Sequence, residues 1–478
     1  MNPEIFREYD VRGLNEELDD NTVRGIGIAF AEMVMASKGK IRGGQNSKCK
    51  VVVGKDNREQ SPRISKALIG AITGMGAEVI SIGEATTPEL YFAVHWLDAD
   101  GGINVTGSHN PPKYNGFKIL VGKEAIYGQQ IQGLAKRAME IEKAGAKTGT
   151  RNRGVVGTVT EKGIDDVYLS EIAKRVRVKR KVKVVVDAGN GMASELGPRL
   201  LKMLGCETRE LFCKKDSTFP NHIPDPSMEA NVTDLKALVV ESGAEMGIAF
   251  DGDADRIGIV DEKGRLIYGD RLLGMLAKKA LHDSPRAKII FEVKCSQGLG
   301  EYIKALGGKP IMWKTGHSLI KAKMREEGAI LAGEMSGHMF FAKEWYGVDD
   351  ALLACAKAVE IVSESGKKVS EIAGEMPNYA TSPEYRIDFP DSEKFAFVEK
   401  AKAYFKKADG VEEVIEVDGA RVVFGEGWGL IRASNTQPKL ILRFEGRTKP
   451  GLEKVKSRFL EGIKEFSGRE LTLESANA

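Results

Sequence analysis

Over most of the chain, short apolar runs alternate with longer segments in which apolar residues recur at helical spacing. The runs 50–54 (KVVVG), 77–82 (AEVISI) and 102–106 (GINVT) are typical of buried strands. Between the first two, the segment 61–75 begins with Ser-Pro and has helical spacing. This pattern predicts an α/β unit whose buried strands are mostly parallel.

The same alternation begins twice more along the chain. The run 182–187 (VKVVVD) is followed by a Gly-rich turn, a helix-like segment and the strand-like run 245–250 (EMGIAF). A third round starts at 288–293 (KIIFEV). Three successive α/β units of comparable length are therefore expected.

The last part of the chain has a different pattern. An amphipathic segment at 392–407 precedes strand-like segments with Gly turns, and a final helix is predicted at 451–466. The segment 374–383, with two prolines, reads as a linker. We predict three α/β domains with mixed, mostly parallel sheets and a smaller C-terminal α+β domain, at 1–154, 155–262, 263–376 and 377–478.

Composition changes this picture little. The chain has 478 residues, with 71 basic and 68 acidic residues and a net charge of +3, and it contains no dense basic tract. Nucleic acid is therefore not an expected partner. No apolar run suits a signal peptide or a membrane span, and the five cysteines are scattered. We expect a cytoplasmic protein with no membrane partner and no obligate protein partner.

The segment 106–112 (TGSHNPP) is the sharpest local signal. It follows an apolar run and ends in a turn-forming Asn-Pro-Pro, which predicts that Ser108 lies on an exposed loop at a strand end. Ligands of open α/β sheets bind at such strand ends. Taken alone, the segment is equally compatible with an ordinary polar turn.

A second signal is the acidic segment 251–256 (DGDADR), which follows a predicted strand. Asp251, Asp253 and Asp255 alternate, and three carboxylates this close can converge on one hard cation. An EF-hand-like calcium loop is the rival interpretation, but Arg256 stands at the sixth position, where that loop requires glycine. The pattern therefore favours magnesium held beside a phosphate.

The third signal is 333–338 (GEMSGH). On an extended backbone, Glu334, Ser336 and His338 would point to one side, where a carboxylate and a hydroxyl suit sugar hydroxyls. For this segment on its own, a Gly-flanked turn with solvated side chains is the favoured interpretation.

The fourth signal is 432–438 (RASNTQP), which places a guanidinium and short hydrogen-bonding side chains in a predicted turn. The rigid fork of Arg432 matches the geometry of a phosphate group. An ordinary turn between two strands is the alternative interpretation.

Together and in this order, the four motifs resemble the α-D-phosphohexomutase family, and most closely its phosphomannomutase/phosphoglucomutase branch. The segments 6–13 (FREYDVRG), 54–58 (GKDNR), 219–222 (FPNH) and 314–317 (KTGH) match further motifs of that family. The resemblance covers nearly the whole chain. It implies three related α/β domains and a smaller fourth domain around a central cleft.

The resemblance also implies roles for particular residues. Ser108 would carry the phosphoryl group, and Lys118 and His109 are the candidates for proton transfer. The implied catalytic residues are Ser108, His109, Lys118, Arg256 and His338. The implied metal ligands are Ser108, Asp251, Asp253 and Asp255. The implied substrate-binding residues are Tyr9, Arg12, Lys294, His317, Glu334, Ser336, Arg432, Ser434, Asn435 and Thr436.

The activity that the resemblance implies is an isomerase that uses Mg²⁺. It would interconvert hexose 1-phosphate and hexose 6-phosphate, of mannose and/or glucose, through a phosphoserine and a hexose 1,6-bisphosphate that also serves as activator. A phosphoglucosamine mutase, a metal-dependent sugar phosphatase and a non-catalytic sugar-phosphate sensor stay open as alternatives. The chain departs from the family pattern at Ala254, where glycine is common, and the polar segment 37–48 reads as an extra loop without an assigned role.

Overall fold

The computed structural model describes residues 1–42, 49–145, 156–435 and 437–473. It contains two compact units, and each consists of several chain segments. The first unit comprises 1–269, 317–322 and 336–370, and the second comprises 270–316, 323–335 and 371–478. In the part of the chain so described, no helix is both long enough and apolar enough to cross a membrane.

The first unit begins with a mixed sheet. Its elements are β1 (Val11–Leu14), α1 (Asp20–Arg42), β2 (Lys50–Lys55), α2 (Ser61–Gly74), β3 (Glu78–Glu84), α3 (Thr87–Trp96), β4 (Gly101–Val105), β5 (Tyr114–Val121), β6 (Glu124–Ala125), α4 (Gln129–Lys143) and β7 (Val159–Glu161). The strand order is β1-β5-β4-β2-β3-β7, with β6 on β5. Strands β2, β3, β4 and β7 are parallel, and β5 runs against β1, β4 and β6.

Local sequence accounts for the helix that precedes β4. A capping box, in which Thr86 and Glu89 each bond the other's backbone N–H, starts α3, and Pro88 occupies the first turn. Residues 87–94 of this helix are all buried. Burial on every side explains why the helix is apolar around its circumference.

A second sheet follows in the same unit. Its elements are α5 (Asp165–Ala173), β8 (Lys183–Asp187), α6 (Ala193–Met203), β9 (Glu207–Leu211), α7 (Thr233–Ser242), β10 (Met246–Phe250), β11 (Ile257–Asp261) and β12 (Leu266–Ile267). The order is β12-β11-β10-β8-β9, in which β8, β9 and β10 are parallel. The antiparallel pair β10–β11 is joined by 251–256, so this hairpin carries the acidic segment.

The next elements are α8 (Gly269–Asp283), β13 (Lys288–Glu292), α9 (Gln297–Ala305), β14 (Lys309–Trp313), α10 (His317–Glu327), β15 (Leu331–Gly333), β16 (Met339–Phe341), β17 (Val348–Asp349), α11 (Ala351–Ser365) and α12 (Val369–Ala373). In the second unit, β13 pairs in parallel with β14 and β15. In the first unit, β16 and β17 form an antiparallel pair.

The second unit ends in an antiparallel sheet with two covering helices. Its elements are β18 (Ala380–Thr381), β19 (Tyr385–Asp388), α13 (Lys394–Phe405), β20 (Glu413–Ile415), β21 (Ala420–Phe424), β22 (Gly427–Ala433), β23 (Lys439–Gly446) and α14 (Lys449–Ser467). The order is β18-β23-β22-β21-β20, with β19 also on β23. Phe405, Phe444 and Phe459 lie in the core beneath this sheet.

The predicted fold class is confirmed, because parallel strands alternate with helices before an α+β C-terminal part. Three details were wrong. The predicted linker at 374–383 contains β18, strand β22 was not predicted, and 37–42 continues α1 instead of forming a loop. Residues 43–48 of that segment lie outside the described residues. The two compact units do not test the four predicted domain boundaries, which stay predictions.

Candidate active site

A buried arginine shapes the serine loop that follows β4. The guanidinium of Arg58 donates to the backbone carbonyls of Ser108 (2.7 Å), Asn110 (2.5 Å), Pro111 (2.7 Å) and Tyr114 (3.1 Å). The Arg58 side chain is only 2% exposed. A guanidinium with this many backbone acceptors fixes the path of the loop that presents the serine.

Asp56 completes the support of this loop. Its Oδ2 accepts hydrogen bonds from Arg58 Nε (3.1 Å) and from the backbone N–H of Gly107 (3.0 Å), and its Oδ1 accepts one from Ser61 Oγ (2.5 Å). Burial lowers the pKa of Arg58, and the neighbouring Asp56 opposes that effect. A Cβ on Gly107 would lie 2.4 Å from Arg58 Nε, so this close approach requires glycine.

Ser108 itself is not exposed, contrary to the sequence prediction. It is 2% exposed, and its backbone has a φ of +49°, a left-handed conformation that costs energy for a non-glycine residue. Its N–H donates to Thr106 Oγ1, and its Oγ lies 3.1 Å from Asp251 Oδ2. The serine is buried because the β10–β11 hairpin, distant in sequence, covers it.

The three aspartates of that hairpin converge. Asp251, Asp253 and Asp255 are fully buried, and one oxygen of each lies within 4.8 Å of the others. Among the described residues, Oδ1 of Asp253 has no hydrogen-bond partner despite its burial. Hard oxygen ligands with an unsatisfied buried carboxylate fit a divalent cation such as Mg²⁺. Ala254, with a φ of +59°, occupies the left-handed position that glycine would fill more easily.

Lys118, on β5, balances part of this charge. Its ammonium is ion-paired with Asp255 and lies 3.0 Å from Asp253. Burial lowers the pKa of Lys118, but the neighbouring carboxylates outweigh burial and raise it overall. Burial and the other two carboxylates raise the pKa of Asp251. Burial also acts to raise the pKa of Asp255, but Lys118, His338 and Arg256 together outweigh burial and hold that pKa low.

Two histidines lie beside this group of residues, one next to Ser108 and one next to Asp255. His109 Nδ1 is 3.1 Å from Ser108 Oγ, and burial with the nearby Arg256 lowers the pKa of His109. His338 Nε2 accepts a hydrogen bond from Arg256 Nε (3.3 Å) and lies 3.3 Å from Asp255 Oδ1. The structure therefore brings His109, Arg256 and His338 to the serine and the aspartates.

Four predicted substrate-binding residues also belong to the first unit, namely Tyr9, Arg12, His317 and Ser336. The ring of His317 stacks on that of His338 at 5.8 Å and meets the edge of Tyr9 at 5.2 Å. Arg12 donates to Asn110 Oδ1 (3.1 Å), in the serine loop, and to Asp10.

Of the two interpretations of the third motif, the extended strand is wrong and the turn is found, although Glu334 is buried in it. The chain turns after Glu334. Gly337 has a φ of +96°, and a Cβ there would lie 2.3 Å from the carbonyl oxygen of Ile257, so the turn requires glycine at this position. The three alternating side chains therefore do not share an extended strand. Ser336 Oγ lies 3.0 Å from His338 Nδ1, in the first unit, whereas Glu334 belongs to the second.

In the second unit, Glu334 and Lys294 are buried. Glu334 Oε1 accepts a hydrogen bond from the N–H of Gly316 (2.7 Å). Lys294 Nζ lies 3.1 Å from Glu384 and 3.5 Å from Glu292. Burial lowers the pKa of Lys294, but the effect of the two carboxylates is larger and raises that pKa overall. In turn, Lys294 and Arg386 outweigh burial and hold the pKa of Glu384 low.

Arg432 lies on strand β22, not in a turn as the sequence suggested. It is 5% exposed, and its Nε donates to Asp418 Oδ2 at 2.9 Å. The turn begins at Ser434, whose Oγ accepts from the N–H of Gln437, and includes the half-buried Asn435. Thr436, the last predicted member of this motif, lies outside the described residues.

Sequence reasoning assigned no role to two acidic supports of these sites, Asp56 and Asp418. Asp56 lies within the segment 54–58, which matches a motif of the family, but the motif alone does not show what its carboxylate contacts. For Asp418, the available signal was an Asp-Gly pair between two strand-like segments, which marks a turn but does not show what the carboxylate contacts.

Comparison with protein families gives four matches, in chain order. The family descriptions are phosphoglucomutase/phosphomannomutase alpha/beta/alpha domain I (residues 3–144), domain II (166–264) and domain III (268–379), and the phosphoglucomutase/phosphomannomutase C-terminal domain (384–462). Together these matches span nearly all of the chain.

Individual relatives agree with these matches. The chain is 42% identical over 461 residues to a phosphomannomutase/phosphoglucomutase of Pseudomonas aeruginosa, covering 96% of this chain and 95% of that protein. It is 42% identical over 457 residues to a phosphoglucomutase of Neisseria gonorrhoeae, covering 95% and 96%. A crystal structure of a family protein from Burkholderia thailandensis superposes with a TM-score of 0.89 at 40% identity, covering 98% and 99%. The chain belongs to the phosphoglucomutase/phosphomannomutase family.

Proposed function

We propose that this protein interconverts hexose 1-phosphate and hexose 6-phosphate, of mannose and/or glucose, through phosphorylated Ser108 and a hexose 1,6-bisphosphate. The observation that carries the proposal is the position of Ser108 Oγ, 3.1 Å from a carboxylate of the buried aspartate cluster. A phosphoryl group on that oxygen would lie beside the proposed Mg²⁺ ligands Ser108, Asp251, Asp253 and Asp255. When bound, the cation supplies charge neutralisation for the transferring group.

The remaining residues of the first unit then have distinct tasks. In the transfer, the bond between phosphorus and the sugar oxygen forms as the bond to Ser108 Oγ breaks. The sugar hydroxyl loses its proton, and the released Ser108 oxygen takes up a proton. His109, whose Nδ1 is 3.1 Å from Ser108 Oγ, is the nearer candidate for holding that proton. Lys118 is ion-paired with two carboxylates and is suited to supplying positive charge.

We assign substrate recognition in the second unit to Glu334 for the sugar hydroxyls and to Arg432 for the phosphate that is not transferred. Ser434, Asn435, Thr436 and Lys294 complete the proposed phosphate site. Because a bisphosphate returns its other phosphate to Ser108 after turning over, the site must accept either end of the intermediate. A single arginine with a rigid fork can serve both.

The alternative activities differ in their products. A sugar phosphatase releases inorganic phosphate in step with turnover, a mutase releases almost none, and a sensor turns over nothing. The deciding experiment supplies mannose, glucose and glucosamine 1-phosphates separately, with bisphosphate activator, and measures hexose 6-phosphate and inorganic phosphate together. Without a dedicated contact to the hydroxyl at carbon 2, we expect kcat/KM for mannose and glucose phosphates to agree within about two orders of magnitude.

The Ser108→Ala variant is the matched control for this assay. Intact-mass measurement with peptide mapping should find phosphate on Ser108 of the active protein and none on the variant. Full mutase activity in Ser108→Ala would exclude the proposed carrier.

A cytoplasmic location is part of the proposal. All five cysteines, which lie within the described residues, are unpaired thiols, in keeping with a reducing compartment. Fractionation of cells that express the full chain, followed by immunodetection, tests this location.

A further inference from the structure

Asp418 joins two separate segments of the second unit. It lies in the bend between β20 and β21, and its Oδ2 accepts hydrogen bonds from Arg432 Nε (2.9 Å) and from the backbone N–H of Thr315 (3.1 Å). The Asp418 side chain is 14% exposed and that of Arg432 is 6% exposed. One shielded oxygen atom therefore sets the distance between a guanidinium and the loop that follows β14.

Gly419 makes this arrangement sterically accessible. It has a φ of +81°, and a Cβ at this position would lie 2.2 Å from the carbonyl oxygen of Ile431 and 2.7 Å from Cβ of Arg432. Only glycine allows the bend to approach β22 this closely. The Asp-Gly pair thus places the carboxylate directly beside the arginine.

Hydrogen bonds continue from Asp418 to the proposed sugar-binding residue Glu334. Thr315 is followed in the chain by Gly316, whose N–H donates to Glu334 Oε1 at 2.7 Å. The hydroxyl of Thr315 also donates to the fully buried Glu292. Asp418 and Glu334 therefore hold the backbone N–H groups of 315–316, and Glu292 holds the side chain of Thr315.

We propose that Asp418 is a positioning residue that couples anion binding at Arg432 to sugar binding at Glu334. By occupying Nε, it orients the guanidinium, and by holding the N–H of Thr315, it fixes the backbone that orients Glu334. The coupling rests on the proposed function in one respect, which is that a single sugar phosphate contacts both residues.

Two substitutions separate charge from geometry. As a negative charge 2.9 Å from Arg432, Asp418 competes with a phosphate, so its removal alone would strengthen anion binding. As a positioning group, it favours binding. Asp418→Asn retains an oxygen acceptor and loses the charge, whereas Asp418→Ala loses both. Asp388→Ala is the control, because Asp388 is an 87% exposed partner of Lys439 in the same sheet.

The experiment is calorimetric titration of the full-length native protein and the three variants with inorganic phosphate and with glucose 6-phosphate. We expect the dissociation constant of Asp418→Ala for glucose 6-phosphate to rise at least about tenfold, as expected for the loss of a charge-assisted bond. Inorganic phosphate does not reach the sugar-binding residue, so the factor by which its dissociation constant rises in Asp418→Ala should be at least about threefold smaller than the factor for glucose 6-phosphate. Asp418→Asn should restore binding to within about threefold of native, and Asp388→Ala should bind both ligands as native.

Native or tighter binding of glucose 6-phosphate by Asp418→Ala would overturn the proposal, because Asp418 would then act only as a charge. An equal loss for both ligands would also overturn it, since the sugar-binding residue would then be uncoupled. Binding of inorganic phosphate that Asp418→Ala retains shows that its weaker binding of glucose 6-phosphate is not misfolding. If the native protein binds both ligands but interconverts no hexose phosphates, the proposed function fails, and the comparison of the two ligands still decides the role of Asp418.

Discussion

Replacing Arg58 by methionine tests whether the serine loop is built around this guanidinium. The substitution keeps most of the apolar stem and removes the donors to four backbone carbonyls and to Asp56. We expect a less stable first unit and a displaced Ser108. Arg58 contacts neither the aspartate cluster nor the proposed substrate residues through any of these bonds, so its effect would act through the loop.

The magnitude follows from the burial of these groups. A buried polar group left without a partner costs about 1–3 kcal/mol, and breaking a buried ion pair by removing one partner costs about 3–5 kcal/mol. Because the carbonyl of Pro111 keeps a bond from the N–H of Tyr114, and the carboxylate of Asp56 keeps that of Gly107, the individual costs do not simply add. We therefore expect a total loss of about 3–5 kcal/mol. A shift of about 1 Å in Ser108 should reduce kcat about a hundredfold.

Limited proteolysis and hydrogen exchange at 106–114 measure the stability locally, since a chain of several domains does not unfold in a single two-state step. The coupled mutase assay measures kcat. Arg137→Met is the control, because Arg137 is 45% exposed and pairs with Glu32 on the surface, where such pairs contribute about 0–1 kcal/mol. Native kcat together with native protection of the loop in Arg58→Met would refute the reasoning.

The charged groups give three further predictions. Lys118→Met removes an ammonium that competes with a cation for the aspartates, so calorimetry should show at least about tenfold tighter Mg²⁺ binding, and weaker binding would contradict this. Burial raises the pKa of Glu89 from 4.5 to about 8, so the folded protein retains this proton and loses stability as pH rises from about 5 to 8. Thermal unfolding of Glu89→Gln should show a flatter pH dependence, and an unchanged slope would rule this out. Arg432→Ala should raise KM for both hexose 1-phosphate and 6-phosphate at least about tenfold, and an unchanged KM for both would exclude its phosphate role.

The strands that sequence pattern predicts correctly are those with continuous β-branched runs, such as β2 and β8. Strand β22 was missed because its sequence, GWGLIRA, contains two glycines, which disfavour a strand. The groups packed against β22 explain why these two positions are glycine. A Cβ at Gly427 would lie 2.0 Å from the carbonyl oxygen of Glu445, and one at Gly429 would lie 2.5 Å from the ring of Phe459. Tertiary contacts that are remote in sequence thus override the local preference.

The same limit applies to the candidate site. The order of the motifs indicates which residues carry chemistry, but burial depends on segments far away in the chain. Ser108 was expected on an exposed loop because nothing within 106–112 shows that the hairpin of Asp251 covers it, 143 positions later. Likewise, alternation at 334–338 suggests an extended strand, whereas Gly337 and the neighbouring carbonyl of Ile257 impose a turn.

Three buried cations of this protein differ in what they bind. Lys118 pairs with the carboxylates of the proposed metal site, and Lys294 pairs with Glu384 and Glu292 beside the proposed phosphate site. Arg58 pairs with Asp56 and also bonds four backbone carbonyls through a rigid planar fork. An ammonium on a flexible stem can leave one carboxylate when a cation or an anion binds, whereas the fork loses several bonds at once if it moves. Under the proposed function, Lys118 and Lys294 therefore occupy positions where charge can rearrange, and Arg58 occupies a position where the loop geometry is held fixed.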